Sequence, residues 1–154
     1  MKILGIDPGK STGWAIIEIT NKEIKPVDQG VEKEGEVRHI HTLIEQVDIV
    51  VCEDFKLRPD KARRGVFDYS SMIAPQVIGK IELLCDITGT TLAKQQPSVK
   101  PVAYGFSGLK YVPGKKGAHW QDAYSHAVYY AVTRLNAKPV SKPGVKKPSV
   151  VQPD

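Results

Sequence analysis

The feature that most constrains the fold is an apolar run that ends in an acid and then turns on glycines. KILGID, residues 2–7, is followed by the turn PGKS and by a second apolar run, TGWAIIEIT, over residues 12–20. A continuous apolar run bounded by turn residues is typical of a strand buried on both faces, at the centre of a sheet. We therefore predict a central first strand that ends at Asp7, with the second strand following the glycine turn.

The same stretch is similar to a phosphate-binding loop but does not satisfy its pattern. G-x-x-x-x-G-K-[ST] needs four residues between its glycines, whereas three residues separate Gly5 from Gly9. Asp7 also places a negative charge where a phosphate cradle presents backbone N–H groups. The stretch is therefore not predicted to bind a nucleotide phosphate.

Periodicity and turn residues divide the rest of the chain into further elements. These are a strand over 23–31, a helix over 36–47, a strand over 48–54, a basic loop over 56–68, a helix over 70–89 with Pro75 in its first turn or kinking it, a strand over 90–97, a short helix or turn over 97–105, and a helix over 118–136. This order predicts an α/β fold, a mixed five-stranded sheet with flanking helices. Residues 1–136 form the predicted domain, and the basic, proline-rich segment 137–154 is predicted to be a disordered tail.

The distribution of charge indicates a polyanionic partner. The net charge is +5, but residues 18–54 carry ten acids and four bases, residues 55–67 carry five bases and one acid, and residues 94–117 carry five lysines and no acid. Basic segments interleaved with aromatic residues suit a nucleic acid. No apolar run reaches the roughly 18 residues of a membrane span, and Asp7 interrupts the N-terminus before a signal peptide could form. Cys52 and Cys85 lie in apolar runs as expected for buried, reduced thiols, which predicts a cytoplasmic protein with no membrane partner.

Three carboxylates lie where ligands collect in α/β proteins. Asp7 and Glu53 each end a predicted strand, and Asp122 lies on the last predicted helix, three residues after His119 on the same helical face. Converging carboxylates repel one another, and hard cations such as Mg²⁺ or Mn²⁺ relieve that repulsion because carboxylate oxygens and water are their preferred ligands. His126 shares that face too and is predicted to be packed or to support the site indirectly.

These motifs resemble the RuvC family of Holliday junction resolvases, within the RNase H-like superfamily. ILGIDPGKSTGWA, VVCEDF and HWQDAYSHA occur in the family's order, and the resemblance extends over roughly residues 1–135. It implies that Asp7, Glu53 and Asp122 are catalytic residues that bind metal, and that His119, where some members carry a fourth acid, joins them as a catalytic and metal-binding residue. It also implies that Lys100 acts near the scissile phosphate. One departure is that Lys56 occupies the position where the family commonly has an aromatic residue that stacks on the junction. The nearest aromatic residue, Phe55, lies one position earlier.

The resemblance implies a metal-dependent, structure-selective DNA endonuclease that resolves four-way junctions as a homodimer. Two Mg²⁺ ions are expected, with Mn²⁺ able to substitute, and a phage or prophage origin is compatible with the compact chain. The residues expected to contact branched DNA are Lys56, Arg58, Lys61, Arg63, Arg64, Lys100, Lys110, Lys115 and Lys116. Cleavage of flaps, forks or RNA precursors, and junction binding without cleavage, remain alternatives, whereas an actin-type ATPase needs a second such domain that 154 residues do not supply.

Overall fold

A mixed five-stranded sheet lies at the centre of the structure, a computed structural model that describes residues 1–56, 59–65, 72–112 and 118–140. Its strands are β1 (Lys2–Asp7), β2 (Ser11–Thr20), β3 (Glu23–Lys33), β4 (Ile49–Glu53) and β5 (Thr91–Gln95). The helices are α1 (Arg38–Ile44), α2 (Pro59–Arg63), α3 (Ile73–Thr88), α4 (Lys100–Ser107) and α5 (His119–Arg134). The strand order is β3-β2-β1-β4-β5, with β2 antiparallel to β1 and β3, and with β1, β4 and β5 parallel. The predicted fold class is confirmed.

β1 is central and buried on both faces, as its continuous apolar run predicts. Leu4 and Ile6 belong to a core cluster with α1 and α3 on one face of the sheet. Ile3 belongs to a second cluster with α5 on the other face. Successive strand residues point to opposite faces, so a strand covered by helices on both sides must be apolar at almost every position.

Several predicted boundaries differ from those in the structure. The first helix is shorter than predicted and ends at Ile44, and the predicted basic loop contains the short helix α2. α3 begins at Ile73, which places Pro75 in its first turn, and ends at Thr88, followed by Gly89, whose φ of +69° suits a glycine. The residues after Pro97 form a 3₁₀ turn followed by α4.

The chain beyond α5 begins as part of the domain. Ala137 is buried in the core cluster of α5, and the backbone N–H of Lys138 donates to the carbonyl of Lys22 at 2.8 Å. The predicted tail therefore does not separate from the domain at 137, and its residues 141–154 lie outside the described residues. Both cysteines are buried and free, as predicted. Among the described residues, no helix has the length and apolar character needed to cross a membrane.

Candidate active site

Three predicted carboxylates converge at one edge of the sheet. β1 and β4 are parallel neighbours, so Asp7 and Glu53, their last residues, lie at the same edge. α5 begins at this edge and carries Asp122 in its first turn. The strand ends and the helix start therefore place Asp7, Glu53 and Asp122 together, as the sequence predicts.

Two glycines allow α5 to approach the sheet closely enough to complete this cluster. A Cβ on Gly5 would lie 2.0 Å from the carbonyl oxygen of Ala123. A Cβ on Gly13 would lie 2.1 Å from the carbonyl carbon and oxygen of His119. Since Gly13 pairs with Asp7 across the β1–β2 hairpin, the absence of a side chain there brings the first turn of α5 against the carboxylate.

Asp7 and His119 form a hydrogen-bonded pair. Nδ1 of His119 lies 3.2 Å from Oδ2 of Asp7, and the histidine side chain is 42% exposed. Burial raises the pKa of the Asp7 carboxyl above its ordinary value, the hydrogen bond with His119 lowers it, and the negative charges of Glu53 and Asp122 raise it further. Asp7 is thus the carboxylate most in need of a compensating positive charge.

Lys100 joins the other two carboxylates. Its Nζ, contributed by the first residue of α4, lies 3.0 Å from Oε2 of Glu53 and 3.2 Å from Oδ2 of Asp122. Burial lowers the pKa of this ammonium, but the three surrounding carboxylates raise it more strongly, so Lys100 stays charged. The structure therefore places Lys100 inside the carboxylate cluster.

Three further side chains hold the carboxylates in place. His126, which is fully buried, places Nε2 2.8 Å from Oε2 of Glu53, as expected for a histidine that supports the site. Burial opposes ionisation of Glu53, but the hydrogen bond from His126 and the charge of Lys100 hold its pKa below its ordinary value. Tyr104 donates its hydroxyl to Oδ1 of Asp122, and Gln95 contacts His126.

The sequence analysis missed Gln95 and Tyr104, although signals for both were present. Gln95 ends β5 in register with Glu53 at the end of β4, so the strand-end rule that selected Glu53 applies equally to it. Tyr104 follows Lys100 by four residues on α4 and therefore shares its helical face.

The carboxylate oxygens of the cluster are suitable ligands for a hard divalent cation. In the structure, however, two of the carboxylates pair with the Lys100 ammonium. Carboxylate oxygens are the ligands that Mg²⁺ prefers, and the mutual repulsion at Asp7 is the condition that a cation relieves. Within the ranges that the structure describes, no group of three or more His, Cys, Asp and Glu side chains is arranged to hold a metal ion. The Lys100 ammonium lies against two of the carboxylates, so metal binding by Asp7, Glu53, His119 and Asp122 stays a prediction.

The structure describes several of the basic residues that are predicted to contact DNA. Lys56, Arg63, Arg64 and Lys110 are exposed. Arg58, Lys115 and Lys116 lie outside the described residues, and so does the side chain of Lys61. Phe55 is 37% exposed and lines a cavity of about 140 Å³ beside Glu53, together with Pro8, Asp54, Lys56, Ala74, Ile78 and Pro97.

The fold is shared with solved junction resolvases. T. thermophilus RuvC in complex with a Holliday junction substrate is 18% identical with a TM-score of 0.61, covering 91% of this chain and all of that one. Thermus thermophilus RuvC in another structure is 20% identical with a TM-score of 0.58 at the same coverage. Fowlpox virus resolvase in complex with Holliday junction DNA is 14% identical with a TM-score of 0.55, covering 85% of this chain and 97% of that one. No protein-family model and no curated protein matches the sequence. The chain therefore has the RNase H-like fold of RuvC and other Holliday junction resolvases.

Proposed function

We propose that this protein is a divalent-metal-dependent endonuclease that cleaves phosphodiester bonds in branched DNA and resolves four-way junctions. The observation that carries the proposal is the convergence of Asp7, Glu53 and Asp122 at the ends of β1 and β4 and the start of α5. The shared fold adds to it, because the solved neighbours include two complexes with Holliday junction DNA.

Each residue of the cluster has a distinct role in this proposal. Bound Mg²⁺ would supply an activated water and would stabilise charge on the leaving oxygen. Asp7 orients His119 through the contact between Nδ1 and its carboxylate, and a neutral imidazole can act as a general base. Lys100 provides a positive charge among the carboxylates, where it can pair with a phosphate oxygen of the substrate. Lys56, Arg63, Arg64 and Lys110 hold the arms through phosphates, which gives affinity without sequence information.

Cleavage of matched substrates tests the proposal. We expect Mg²⁺-dependent cleavage of a synthetic four-way junction that exceeds cleavage of a flap, a linear duplex and a structured RNA of similar length. Excess chelator should abolish cleavage, and Mn²⁺ should restore it. Preferential cleavage of the flap or the RNA would reassign the substrate, and tight junction binding without cleavage would indicate a binding protein.

Substitution of His119 should slow the reaction without stopping it. Because a positioned general base contributes about 10²–10⁴-fold, we expect His119→Ala to lower the single-turnover cleavage rate by a factor in that range. His119→Asp should recover part of the loss, since a carboxylate can also accept a proton or bind a cation. His41→Ala is the matched control, because His41 lies on α1 and pairs with the exposed Glu45. A His119→Ala protein as fast as the wild type would exclude His119 from the chemistry.

The proposed resolvase is a homodimer, because two-fold symmetry matches the symmetry of a four-way junction. An exposed stripe along α3 supports this, with Met72 42% exposed, Leu83 59% exposed and Ile87 69% exposed. Gly79, near the middle of the stripe, has open space beside it. A two-fold axis near Gly79 would place Met72 of one copy opposite Ile87 of the other, and such self-complementarity is what a symmetric dimer requires.

Charged substitutions on this stripe should dissociate the dimer. In the double variant Leu83→Lys and Ile87→Lys, ammonium groups without partners are buried against the apolar stripe of the other copy, and we expect the dimer dissociation constant to rise by about 100-fold or more. Sedimentation velocity at several concentrations measures it. Val27→Lys is the control, because Val27 is 48% exposed on β3 and lies outside the stripe. Dissociation by Val27→Lys alone would instead place the interface at the β3 edge.

A further inference from the structure

Gln95, His126 and Glu53 form a continuous hydrogen-bonded chain across the sheet edge. Nε2 of Gln95 lies 3.0 Å from Nδ1 of His126 and also 3.0 Å from the backbone carbonyl oxygen of the same residue. The other ring nitrogen of His126 lies 2.8 Å from Oε2 of Glu53. The histidine side chain is fully buried, so bulk water does not compete for these contacts.

The chemistry of these groups determines where the imidazole proton lies. A backbone carbonyl can only accept a hydrogen bond, so the Gln95 amide must present its NH₂ group to the carbonyl of His126. The same NH₂ group contacts Nδ1, which therefore accepts and carries no proton. The proton lies on Nε2, and the neutral ring donates it to Glu53. A proton on Nδ1 would bring N–H groups face to face at 3.0 Å.

The hydrogen bond from His126 orients the carboxylate of Glu53. Oε2 of Glu53 is held both by Nε2 of His126 at 2.8 Å and by Nζ of Lys100 at 3.0 Å. The Lys100 side chain is 22% exposed and also pairs with Asp122, so its position depends on what else enters the cluster. The buried ring of His126 has no such freedom, because Gln95 holds it from behind.

We propose that Gln95 and His126 are positioning residues, in which Gln95 holds the His126 ring in place with Nδ1 as a hydrogen-bond acceptor and the ring thereby fixes the orientation of the Glu53 carboxylate. The effect on cleavage rests on the proposed nuclease function, whereas the tautomer does not. The chain links the end of β5 to the end of β4 through α5, so it couples the carboxylate to the rigid centre of the fold.

Two substitutions of nearly constant size test this directly. Gln95→Glu keeps the shape and reverses the hydrogen-bonding polarity, because a carboxylate accepts from Nδ1 and favours a proton there in addition to the one that Nε2 donates to Glu53. Gln95→Met keeps the volume and removes both hydrogen bonds, so that only Glu53 still constrains the ring. Gln96→Glu is the matched control, since it adds the same charge at the next residue, which is exposed and contacts Asp54.

The measurements are the ¹⁵N chemical shifts of the His126 ring, assigned by their loss in His126→Asn, together with cleavage and binding of a four-way junction. We expect a wild-type ring that is protonated on Nε2 and bare on Nδ1, an Nδ1 shift in Gln95→Met that is altered by loss of its hydrogen-bond donor, and protonated Nδ1 in Gln95→Glu but not in Gln96→Glu. The single-turnover rate at saturating junction should fall about 10–100-fold in Gln95→Met relative to the wild type, as is usual when the support of a metal-binding side chain is lost. Junction affinity should be equal in Gln95→Met and the wild type.

Each part can fail separately. A wild-type ring protonated on Nδ1, or a Gln95→Met spectrum identical to the wild type, overturns the role of Gln95 whatever the cleavage data show. The expected spectra together with equal cleavage by Gln95→Met and the wild type overturn the positioning of Glu53. A folded wild-type protein that cleaves no substrate overturns the proposed nuclease and the catalytic effect, while the spectra still decide the tautomer. If Gln95→Glu does not fold, Gln95→Met decides both parts, with an expected rate below that of the wild type.

Discussion

Asp7→Asn, Glu53→Gln and Asp122→Asn should each reduce junction cleavage to below about one thousandth of the wild-type rate, while junction binding is retained or strengthened. Groups that act as one catalytic unit cause losses of this order when any member is removed. Binding draws mainly on phosphate contacts by basic residues, which these substitutions leave in place. Glu53 and Asp122 also pair with Lys100, so their neutralisation frees that ammonium for a phosphate.

Asp7→Asn should have a second effect, on the stability of the fold. Because burial raises the pKa of Asp7, the folded state binds this proton more tightly than the unfolded state does. Ionisation of Asp7 therefore costs stability once the pH rises through the unfolded pKa, and that cost persists at neutral pH. Asparagine cannot ionise, so the midpoint of thermal unfolding at pH 7 should be higher in Asp7→Asn than in the wild type.

Single-turnover cleavage, gel-shift affinity and thermal unfolding, measured on the same preparations, check both expectations. Asp28→Asn serves as the control for loss of a carboxylate, because Asp28 is exposed on β3 and its carboxylate accepts a hydrogen bond only from the backbone N–H of Gln29 among the described residues. Near wild-type cleavage by any one of the three variants would remove that residue from the active site. A lower melting temperature for Asp7→Asn would show that the buried charge is compensated better than the structure indicates.

Gly5→Ala should destabilise the domain severely. The added Cβ would lie 2.0 Å from the carbonyl oxygen and 2.9 Å from the carbonyl carbon of Ala123, and neither atom can move away by side-chain rotation. Overpacking of a core costs about 1–3 kcal/mol and occasionally more, and an overlap with backbone belongs at the upper end. With roughly 4 °C lost per kcal/mol at this size, we expect a fall in melting temperature on the order of 10 °C.

Gly105→Ala provides the matched control for this substitution. Gly105 lies in α4, and a Cβ there would meet nothing within 4 Å. Alanine is favoured over glycine in a helix by about 1 kcal/mol, so this variant should be as stable as the wild type or slightly more stable. Circular dichroism melts of both variants give the comparison. Equal melting temperatures for Gly5→Ala and the wild type would show that α5 does not pack as closely on β1 as the structure describes.

The apolar pattern determined the sheet and the location of the carboxylates. KILGID reads as a strand buried on both faces because helices cover β1 on both sides. Asp7 and Glu53 were predicted as site residues because parallel neighbouring strands end at one edge, and this rule needs only the positions of the strand ends. Helical spacing placed His119 beside Asp122, and the resemblance to the RuvC family selected both as site residues. All of these are local properties of the chain, which can be recognised from the spacing of residues in the sequence.

Tertiary structure alone decided how the carboxylates are held. His119 is 112 residues from Asp7, His126 is 73 residues from Glu53, and Gln95 is 31 residues from His126. A hydrogen bond across such separations depends on where α5 lies on the sheet to within a fraction of an ångström. That position is determined by two missing side chains, those of Gly5 and Gly13, and not by any periodic pattern. The sequence by itself therefore determined which groups lie at the edge of the sheet. Only the packing of α5 decided which nitrogen donates to which oxygen. A hydrogen bond requires donor and acceptor within a few tenths of an ångström of the ideal distance, and the spacing of residues along the sequence does not give distances that precisely.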